Sequence, residues 1–180
     1  MTDVRISRRY AKAVMDLAVE NSVLENVHSD MLLIAQTCRE NRALVVVLAN
    51  PIVHGSKKSA ILKEIFGGKV HDITEKLMVL LCNKHRVQFL FDISVEFHNA
   101  YNDFNGIEVA SISTPFELDA VMRSQFIDIV KQISGKSKVE LEEKIDATLI
   151  GGYVLKIRDR QIDDSIKSRL RMMRTKLTFA

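Results

Sequence analysis

The sequence has only two cysteines and no long apolar segment. Cys38 and Cys82 each lie inside an apolar helical pattern and are not spaced as a metal or redox pair, so we interpret both as small buried side chains in a reducing compartment. The longest apolar run, residues 77–82, is far shorter than the roughly 20 residues that a membrane-spanning helix needs. The first residues contain neither an apolar signal core nor an Arg- and Ser-rich leader. These absences predict a cytoplasmic bacterial protein with no transmembrane segment.

Recognisable signatures of chemistry are also scarce. Residues 135–137 have the Gly-Lys-Ser ending of a phosphate-binding loop, but Val130 stands where the first glycine is needed and the preceding residues have a helical pattern. The five histidines are scattered singly, and none has the i, i+4 spacing of a zinc-binding helix. No serine lies in a nucleophile elbow, and the glutamates of residues 140–143 are typical of a solvated strand edge. We therefore expect no cofactor, metal or catalytic site, although residues distant in sequence can still assemble one.

Charge is interspersed along most of the chain. The net charge of +3 arises from 26 basic and 23 acidic residues. The exception is the C-terminal end, which from Lys156 onward contains eight Lys or Arg residues and only three aspartates. A basic segment favours an acidic partner, which could be a protein helix, an anionic membrane surface or nucleic acid. A nucleic-acid-binding module that uses this basic end is the alternative hypothesis. It would need base-stacking aromatics beside the charges, and only Tyr153 and Phe179 are near them.

Helical periodicity extends over the first 105 residues. In the first helix, Ile6, Tyr10, Ala13 and Leu17 recur at the spacing of one helical face. Asn50-Pro51 ends the third helix, because the residue before a proline disfavours helical angles. Six helices joined by short links predict an N-terminal six-helix bundle. The five later helices cover approximately residues 24–38, 43–49, 55–66, 72–83 and 88–104.

The hydrophobic period changes after Asn105-Gly106. Residues 107–113 alternate and predict a strand, Thr114-Pro115 opens a helix that ends near residue 134, and residues 139–145 predict a second strand. A third strand follows Gly151-Gly152, and residues 158–161 then predict a polar turn before a final helix. The pattern assigns the chain to the α+β class, with a helical domain at residues 1–105 and a small α/β domain of short strands plus two helices at residues 106–180.

The final helix has a narrow apolar seam. Ile166, Leu170, Met173 and Leu177 recur at steps of four, three and four, with basic residues on both flanks. Ser165 and the two aspartates before it place a capping oxygen and negative charge at the positive end of the helix dipole. The seam fits a coiled-coil-like contact with a partner, and it equally fits packing of a solvated basic helix on its own sheet.

The fifth helix carries more apolar surface than one stripe requires. Residues 77–82 are six apolar residues in succession. Either this helix lies at the centre of the bundle, or part of it faces a groove that a partner helix fills. The residues alone favour the central position.

The two ends of the chain resemble the delta subunit family of F-type ATP synthases, called the oligomycin-sensitivity-conferring protein in mitochondria. The C-terminal resemblance rests on Ile150-Gly151-Gly152, the alternating strand, Ile162-Asp163 and Arg169-Leu170. The N-terminal resemblance rests on the Tyr-Ala-Lys-Ala run of residues 10–13 and on the Lys-Lys-x-x-Ile-Leu-x-x-Ile-Phe segment of residues 57–66. Two glycines of the family pattern are replaced, by Arg158 and Asp164. We expect these replacements to alter the turn backbone rather than the fold.

The resemblance implies a non-catalytic stator connector that resists rotor torque during ATP synthesis and hydrogen ion transport, bound peripherally at the cytoplasmic face of a bacterial inner membrane. In that family, the first and fifth helices form a groove for the N-terminal helix of a catalytic-head alpha subunit. The second domain meets the C-terminal helix of the peripheral-stalk b subunit, and nucleic acid is not a partner. The implied groove residues are Tyr10, Ala13, Leu17, Lys76, Leu80 and Asn83. The implied stalk-binding residues are Ile166, Arg169, Leu170, Met173 and Leu177.

Overall fold

The computed structural model describes the backbone of residues 2–178 and the side chains of residues 4–175. An α+β chain is confirmed, because helices dominate the first part and a four-stranded sheet lies in the second. The elements are α1 (Thr2–Glu20), α2 (Leu24–Glu40), α3 (Arg42–Ala49), α4 (Gly55–Phe66), α5 (Asp72–Asn83), a short 3-10 helix (Val87–Phe89), α6 (Leu90–Phe104), β1 (Ile107–Thr114), α7 (Ala120–Ser134), β2 (Lys138–Ile145), β3 (Val154–Ile157), β4 (Arg160–Asp163) and α8 (Ile166–Thr178). Within residues 2–178, no helix is long and apolar enough to cross a membrane.

The chain divides into two compact units, residues 1–101 and 102–180. The first unit has one apolar core, to which each of its helices contributes a stripe. Its largest fully buried side chains include Met31 and Ile34 from α2, Phe66 from α4 and Phe97 from α6. Cys38 and Cys82 are free and buried, and burial raises the pKa of both thiols.

Helix α5 divides its apolar run between the core and the surface. Leu77, Met78, Leu81 and Cys82 are buried, whereas Val79 and Leu80 are 49% and 43% exposed. The start of α5 is held by Asp30 of α2, which is itself buried. The Asp30 carboxylate accepts hydrogen bonds from the backbone N–H of His71 at 2.7 Å and from the hydroxyl of Thr74 at 2.8 Å. This carboxylate is the acceptor for two donors of the first turn of α5, so it orients α5 on α2.

A histidine pair joins α2 to α6 in the first unit. His28 Nε2 lies 3.0 Å from His98 Nδ1, and the His28 ring stacks on Tyr101 with ring centroids 3.6 Å apart. Burial and the neighbouring His98 lower the pKa of His28 below its ordinary value of 6.5. Two protonated rings at this distance would repel each other, so the folded state favours a neutral His28.

This pair predicts a loss of stability in mild acid. Because the pKa of His28 is lower in the folded than in the unfolded chain, the unfolded chain binds more protons once the pH falls below about 6.5. Urea unfolding at about pH 7.5 and about pH 5.5 measures the effect. We expect His28→Gln to reduce the loss between the two pH values, whereas His54→Gln, at an exposed position, leaves it unchanged. An equal loss in both variants would contradict the assignment.

The second unit is built on a sheet with strand order β2-β1-β3-β4. Strands β1 and β2 are parallel and are connected through α7, whereas β3 is antiparallel to both β1 and β4. The inward residues Ala110, Ile112, Leu155 and Ile157 pack with Val130 of α7. The core of this unit contains no described residue of α8.

The β3–β4 hairpin differs from the sequence prediction. Residues 158–161 were expected to form a polar turn, but the turn consists only of Arg158 and Asp159, because β4 begins at Arg160. Strand β4 is exposed along its whole length and has no inward apolar alternation, so its period carries no strand signal. Its pairing with β3 is a tertiary contact that periodicity cannot reveal.

Candidate functional site

A groove of about 510 Å³ lies between α1 and α5 in the first unit. We call it the α1–α5 groove. Its lining residues are Tyr10, Ala13, Val14, Leu17, Asn21, Val23, His71, Asp72, Ile73, Lys76, Leu77 and Leu80. Val14 and Leu77 are buried and form the floor, whereas Leu17 and Leu80 are 48% and 43% exposed and form apolar lips.

Five of the six groove residues named from the sequence line this groove. They are Tyr10, Ala13, Leu17, Lys76 and Leu80. Asn83 is exposed at the last position of α5 and does not line it. The last lining residue on α5 is Leu80, three residues before Asn83.

Sequence reasoning missed the other end of the groove, where Asn21, Val23, His71 and Ile73 contribute to the walls. Asn21 is four residues after Leu17, and Ile73 is three residues before Lys76. Extension of each helical stripe by one turn would therefore have found these two. Asn21 directly follows the last residue of α1, whereas Val23 and His71 lie in the links before α2 and α5, and no periodic signal marks those two.

The two helices run antiparallel along the groove. The Tyr10 hydroxyl accepts a hydrogen bond from Arg86 Nη1 at 3.1 Å, and the Arg86 guanidinium carbon lies 6.0 Å from the centre of the Tyr10 ring. Arg86 follows the C-terminal end of α5, so the first half of α1 lies beside the last turn of α5. The later residue Asn21 lines the same groove as Ile73 in the first turn of α5.

Polar contacts surround the apolar lips without covering them. Lys76 pairs with Asp72 one turn away, and both side chains are more than half exposed. His71 Nδ1 accepts a 3.3 Å hydrogen bond from the backbone N–H of Ile73, which caps α5 where it enters the groove. The exposed ion pair between Lys76 and Asp72 contributes little to the stability of the fold. The groove is therefore a preformed apolar surface with a polar rim, of the kind that accepts the apolar face of a helix.

The second candidate surface is the seam of α8. Ile166, Leu170 and Met173 are 44%, 52% and 60% exposed, and the neighbouring Met172 is 57% exposed. The side chain of Leu177 lies outside the described residues. Arg169 pairs with Asp164 at the start of the helix. The described seam is thus largely uncovered by its own sheet.

The start of α8 is capped as its sequence predicts. Ser165 Oγ accepts a 3.2 Å hydrogen bond from the backbone N–H of Ser168. Asp163 accepts from the Ser168 hydroxyl at 2.7 Å and from the Ser165 N–H at 3.0 Å, and these bonds lower the pKa of its carboxyl group. This network defines where the helix begins and holds its first turn on the β4 end.

Among the described residues, no group of three or more His, Cys, Asp or Glu side chains could hold a metal ion. The two candidate surfaces, the α1–α5 groove and the α8 seam, are mainly apolar.

Comparisons with known proteins give one family. A family model described as the ATP synthase delta (OSCP) subunit matches residues 6–177. ATP synthase subunit delta of Cytophaga hutchinsonii is 44% identical over 99% of this chain and 97% of its own length. The same subunit of Flavobacterium johnsoniae is 34% identical over 99% of both chains.

A solved structure agrees in fold. One chain in a cryo-EM structure of the Toxoplasma gondii mitochondrial ATP synthase hexamer superposes with a TM-score of 0.75 at 19% identity, covering 96% of this chain and 97% of that one. Since the family model matches residues 6–177 and the bacterial relatives are matched over almost their whole length, this chain belongs to the ATP synthase delta (OSCP) subunit family.

Proposed function

We propose that the two apolar surfaces are the two joints of a stator connector in an F-type ATP synthase. Membership of the delta (OSCP) family makes the chain a non-catalytic structural subunit of that complex, which couples ATP synthesis to hydrogen ion transport. Residues 1–105 act as a six-helix bundle that holds the N-terminal helix of a catalytic-head alpha subunit. Residues 106–180 hold the C-terminal helix of the stalk b subunit. The comparisons do not support the nucleic-acid-binding alternative.

The observation that supports the first joint is the pair of exposed leucines on the lips of the α1–α5 groove. Leu17 of α1 and Leu80 of α5 both line the groove, whose floor contains the buried Val14 and Leu77. Apolar area buried against a partner contributes about 25 cal/mol per Å², so a helix that covers both lips gains affinity without any rearrangement of the floor. Ala13 has the small side chain that lets a helix approach α1 closely.

The second joint is supported by the exposed seam of α8 and its basic flanks. Ile166, Leu170 and Met173 lie on one stripe that the sheet leaves uncovered. A narrow seam with charges on both sides matches the contact surface of a coiled coil, in which apolar residues supply affinity and charges set register.

The task of a stator connector is to resist torque, and this task requires no chemistry. Resistance requires joints that dissociate slowly, and slow dissociation comes mainly from well-packed apolar contacts. The subunit is then peripheral to the membrane, at the cytoplasmic face of a bacterial inner membrane, through its complex. The proposed joints lie in different units of the chain, so we expect damage to one to leave the other measurable.

The first joint is tested with a peptide of the alpha-subunit N-terminus. We expect Leu80→Asp to weaken binding by about tenfold or more, because it places a carboxylate on a lip that the peptide must cover. Ala13→Asp has the same expected result. Leu170→Asp on α8 is the matched control and leaves peptide affinity unchanged. The helical circular dichroism of all three variants stays close to that of the parent chain, since the three positions are exposed.

Unchanged peptide binding in Leu80→Asp and Ala13→Asp would remove the assignment of the groove. A pull-down from detergent extract adds the test in the complex, where head and stalk subunits should both co-purify with the parent chain. In the pull-down with Leu170→Asp, we expect the stalk subunits to be lost before the head subunits are. Filter binding to nucleic acid at low salt should give no steeply salt-dependent affinity.

A further inference from the structure

The exposed charges on α1 are segregated along the groove. One helical stripe, at steps of four, three, four and four residues, consists of Arg5, Arg9, Lys12, Asp16 and Glu20, all of them exposed. Its first three members are basic and its last two are acidic. The stripe adjoins the groove, because Arg9, Lys12, Asp16 and Glu20 each immediately precede a lining residue.

Helix α5 continues this segregation on the opposite wall. Because α1 and α5 are antiparallel, Lys84 and Arg86 lie at the same end as the basic half of α1, and Arg86 touches Tyr10 there. Asp72 lies at the other end, beside the acidic half of α1. Among the described residues that line that end, the one Lys or Arg side chain is Lys76, which is paired with Asp72. We call the two ends the Tyr10 end and the Asn21 end.

Not every nearby charge belongs to the pattern. Arg8 lies on another side of α1 and pairs with Glu96 of α6 at 2.9 Å, so it does not add to the Tyr10 end. The pattern therefore rests on five basic residues at one end, against three acidic residues and one cation at the other. The floor between the ends is apolar and carries no charge.

An apolar floor alone does not determine the direction of a bound helix, since a stripe of apolar residues fits in either sense. Segregated charges do discriminate between the two senses, because like charges that face each other across an interface disfavour the wrong one. The twelve residues from Tyr10 to Asn21 correspond to a length of about 16 Å, so an occupant has about three turns along which its charges can be read.

We infer that the α1–α5 groove selects an amphipathic partner helix whose flanking charges are themselves segregated, with carboxylates at the Tyr10 end and basic side chains at the Asn21 end. The inference rests on the proposed function, in that the groove must accept a helix at all. It adds the chemistry of that helix and the direction in which it lies.

Two synthetic helical peptides of about 18 residues test the inference against the full chain. Both have the same composition and the same apolar stripe. One carries glutamates in its first half and lysines in its second half, and the other alternates them. We expect the segregated peptide to bind about tenfold more tightly at about 50 mM salt, and the difference to shrink at about 300 mM salt, because exposed charges are screened.

A nitroxide label on the acidic end of the segregated peptide reports direction. We expect it to broaden the amide signals of Tyr10 and Arg86 and to leave those of Leu17 and Asn21 sharper. A third peptide with the charge order reversed should dock in the opposite chain direction, so that its acidic end again lies near Tyr10. Broadening at the Asn21 end by either acidic label would overturn the inference.

Charge reversal on the protein supplies the second test. Lys12→Glu combined with Lys84→Glu should bring the affinity of the segregated peptide down to that of the alternating one. Lys57→Glu combined with Lys69→Glu changes the net charge equally at exposed sites that do not line the groove, and it should preserve the difference. Equal affinities of the two peptides for the parent chain would refute the charge selection but leave the groove as a helix site. Failure of these peptides and of the alpha-subunit peptide to bind would refute the proposed head contact and this inference together.

Discussion

Gly152→Ala is expected to lower the free energy of unfolding of the second unit by about 2–4 kcal/mol. Gly152 has φ +80°, where a side chain other than glycine is strained. A Cβ atom at this position would also contact the carbonyl oxygen of Asp164 and would lie 3.0 Å from Cα of Ser165. Both atoms belong to the backbone, which cannot rotate aside as a side chain does.

The substitution would therefore act on the joint between β3 and α8. The backbone N–H of Asp164 donates to the carbonyl of Tyr153 at 3.0 Å, and the N–H of Ile166 donates to the carbonyl of Gly151 at 3.0 Å. These bonds hold the start of α8 against the start of β3. Displacement of Asp164 by a methyl group would break at least one of them, and the α8 seam would lose its support.

Gly135→Ala is the matched control for this prediction. Gly135 has φ +70° at the end of α7, but a Cβ atom there meets nothing within 4 Å. The control therefore isolates the left-handed strain, which costs about 1 kcal/mol. Hydrogen exchange at the amide of Leu155 in urea reports the second unit specifically. Equal destabilisation by the two substitutions would show that the close approach at Gly152 contributes nothing.

Arg158→Ala is expected to destabilise the same unit by about 2 kcal/mol. Glu108 occupies an inward position of β1 and is only 2% exposed. Its carboxylate accepts from Arg158 Nε at 2.8 Å and pairs with Lys136 Nζ at 3.2 Å. Loss of the guanidinium would leave a buried carboxylate with a single cation. Arg158 also pairs with Asp103, and the two carboxylates, Glu108 foremost, raise the pKa of the guanidinium.

The backbone of Arg158 provides an unusual control. Arg158 has φ +49°, the left-handed conformation that glycine adopts freely, in the turn where the family pattern has a glycine. Arg158→Gly loses the same charge as Arg158→Ala but relieves the strain, so we expect it to be more stable than Arg158→Ala by about 1 kcal/mol. Urea unfolding measured at β1 and β3 amides compares the two.

A double substitution separates the charge from the backbone. Glu108→Leu combined with Arg158→Gly removes the buried carboxylate together with its partner, and it should recover most of the lost stability, because apolar side chains can replace a buried ion pair at little cost. If the double variant were no more stable than Arg158→Gly alone, then the unpaired carboxylate of Glu108 would not explain the loss. The ion pairs that the Arg158 side chain makes with Glu108 and Asp103 thus offset the strain of its left-handed backbone.

The periodic parts of the structure could be predicted from the sequence. The stripes of α1 and α5, the alternation of β1, and the cap of α8 at Ser165 are local, and a helix or strand repeats its buried face every few residues. Five groove residues could be named before the fold was known only because the resemblance to the family implied them. The resemblance at the two ends of the chain led to the family because its motifs are also local.

Only the tertiary structure decided which of these faces are covered. Periodicity marks Leu80 and Leu81 alike as apolar, but the packing of α5 buries Leu81 and leaves Leu80 on a groove lip. Periodicity likewise could not show that Glu108 is buried with Arg158 as its partner, or that β4 pairs with β3. Hydrophobic pattern specifies what a segment can bury, whereas the choice of neighbour depends on contacts between residues far apart in the chain, and those contacts decide which apolar surfaces remain for a partner.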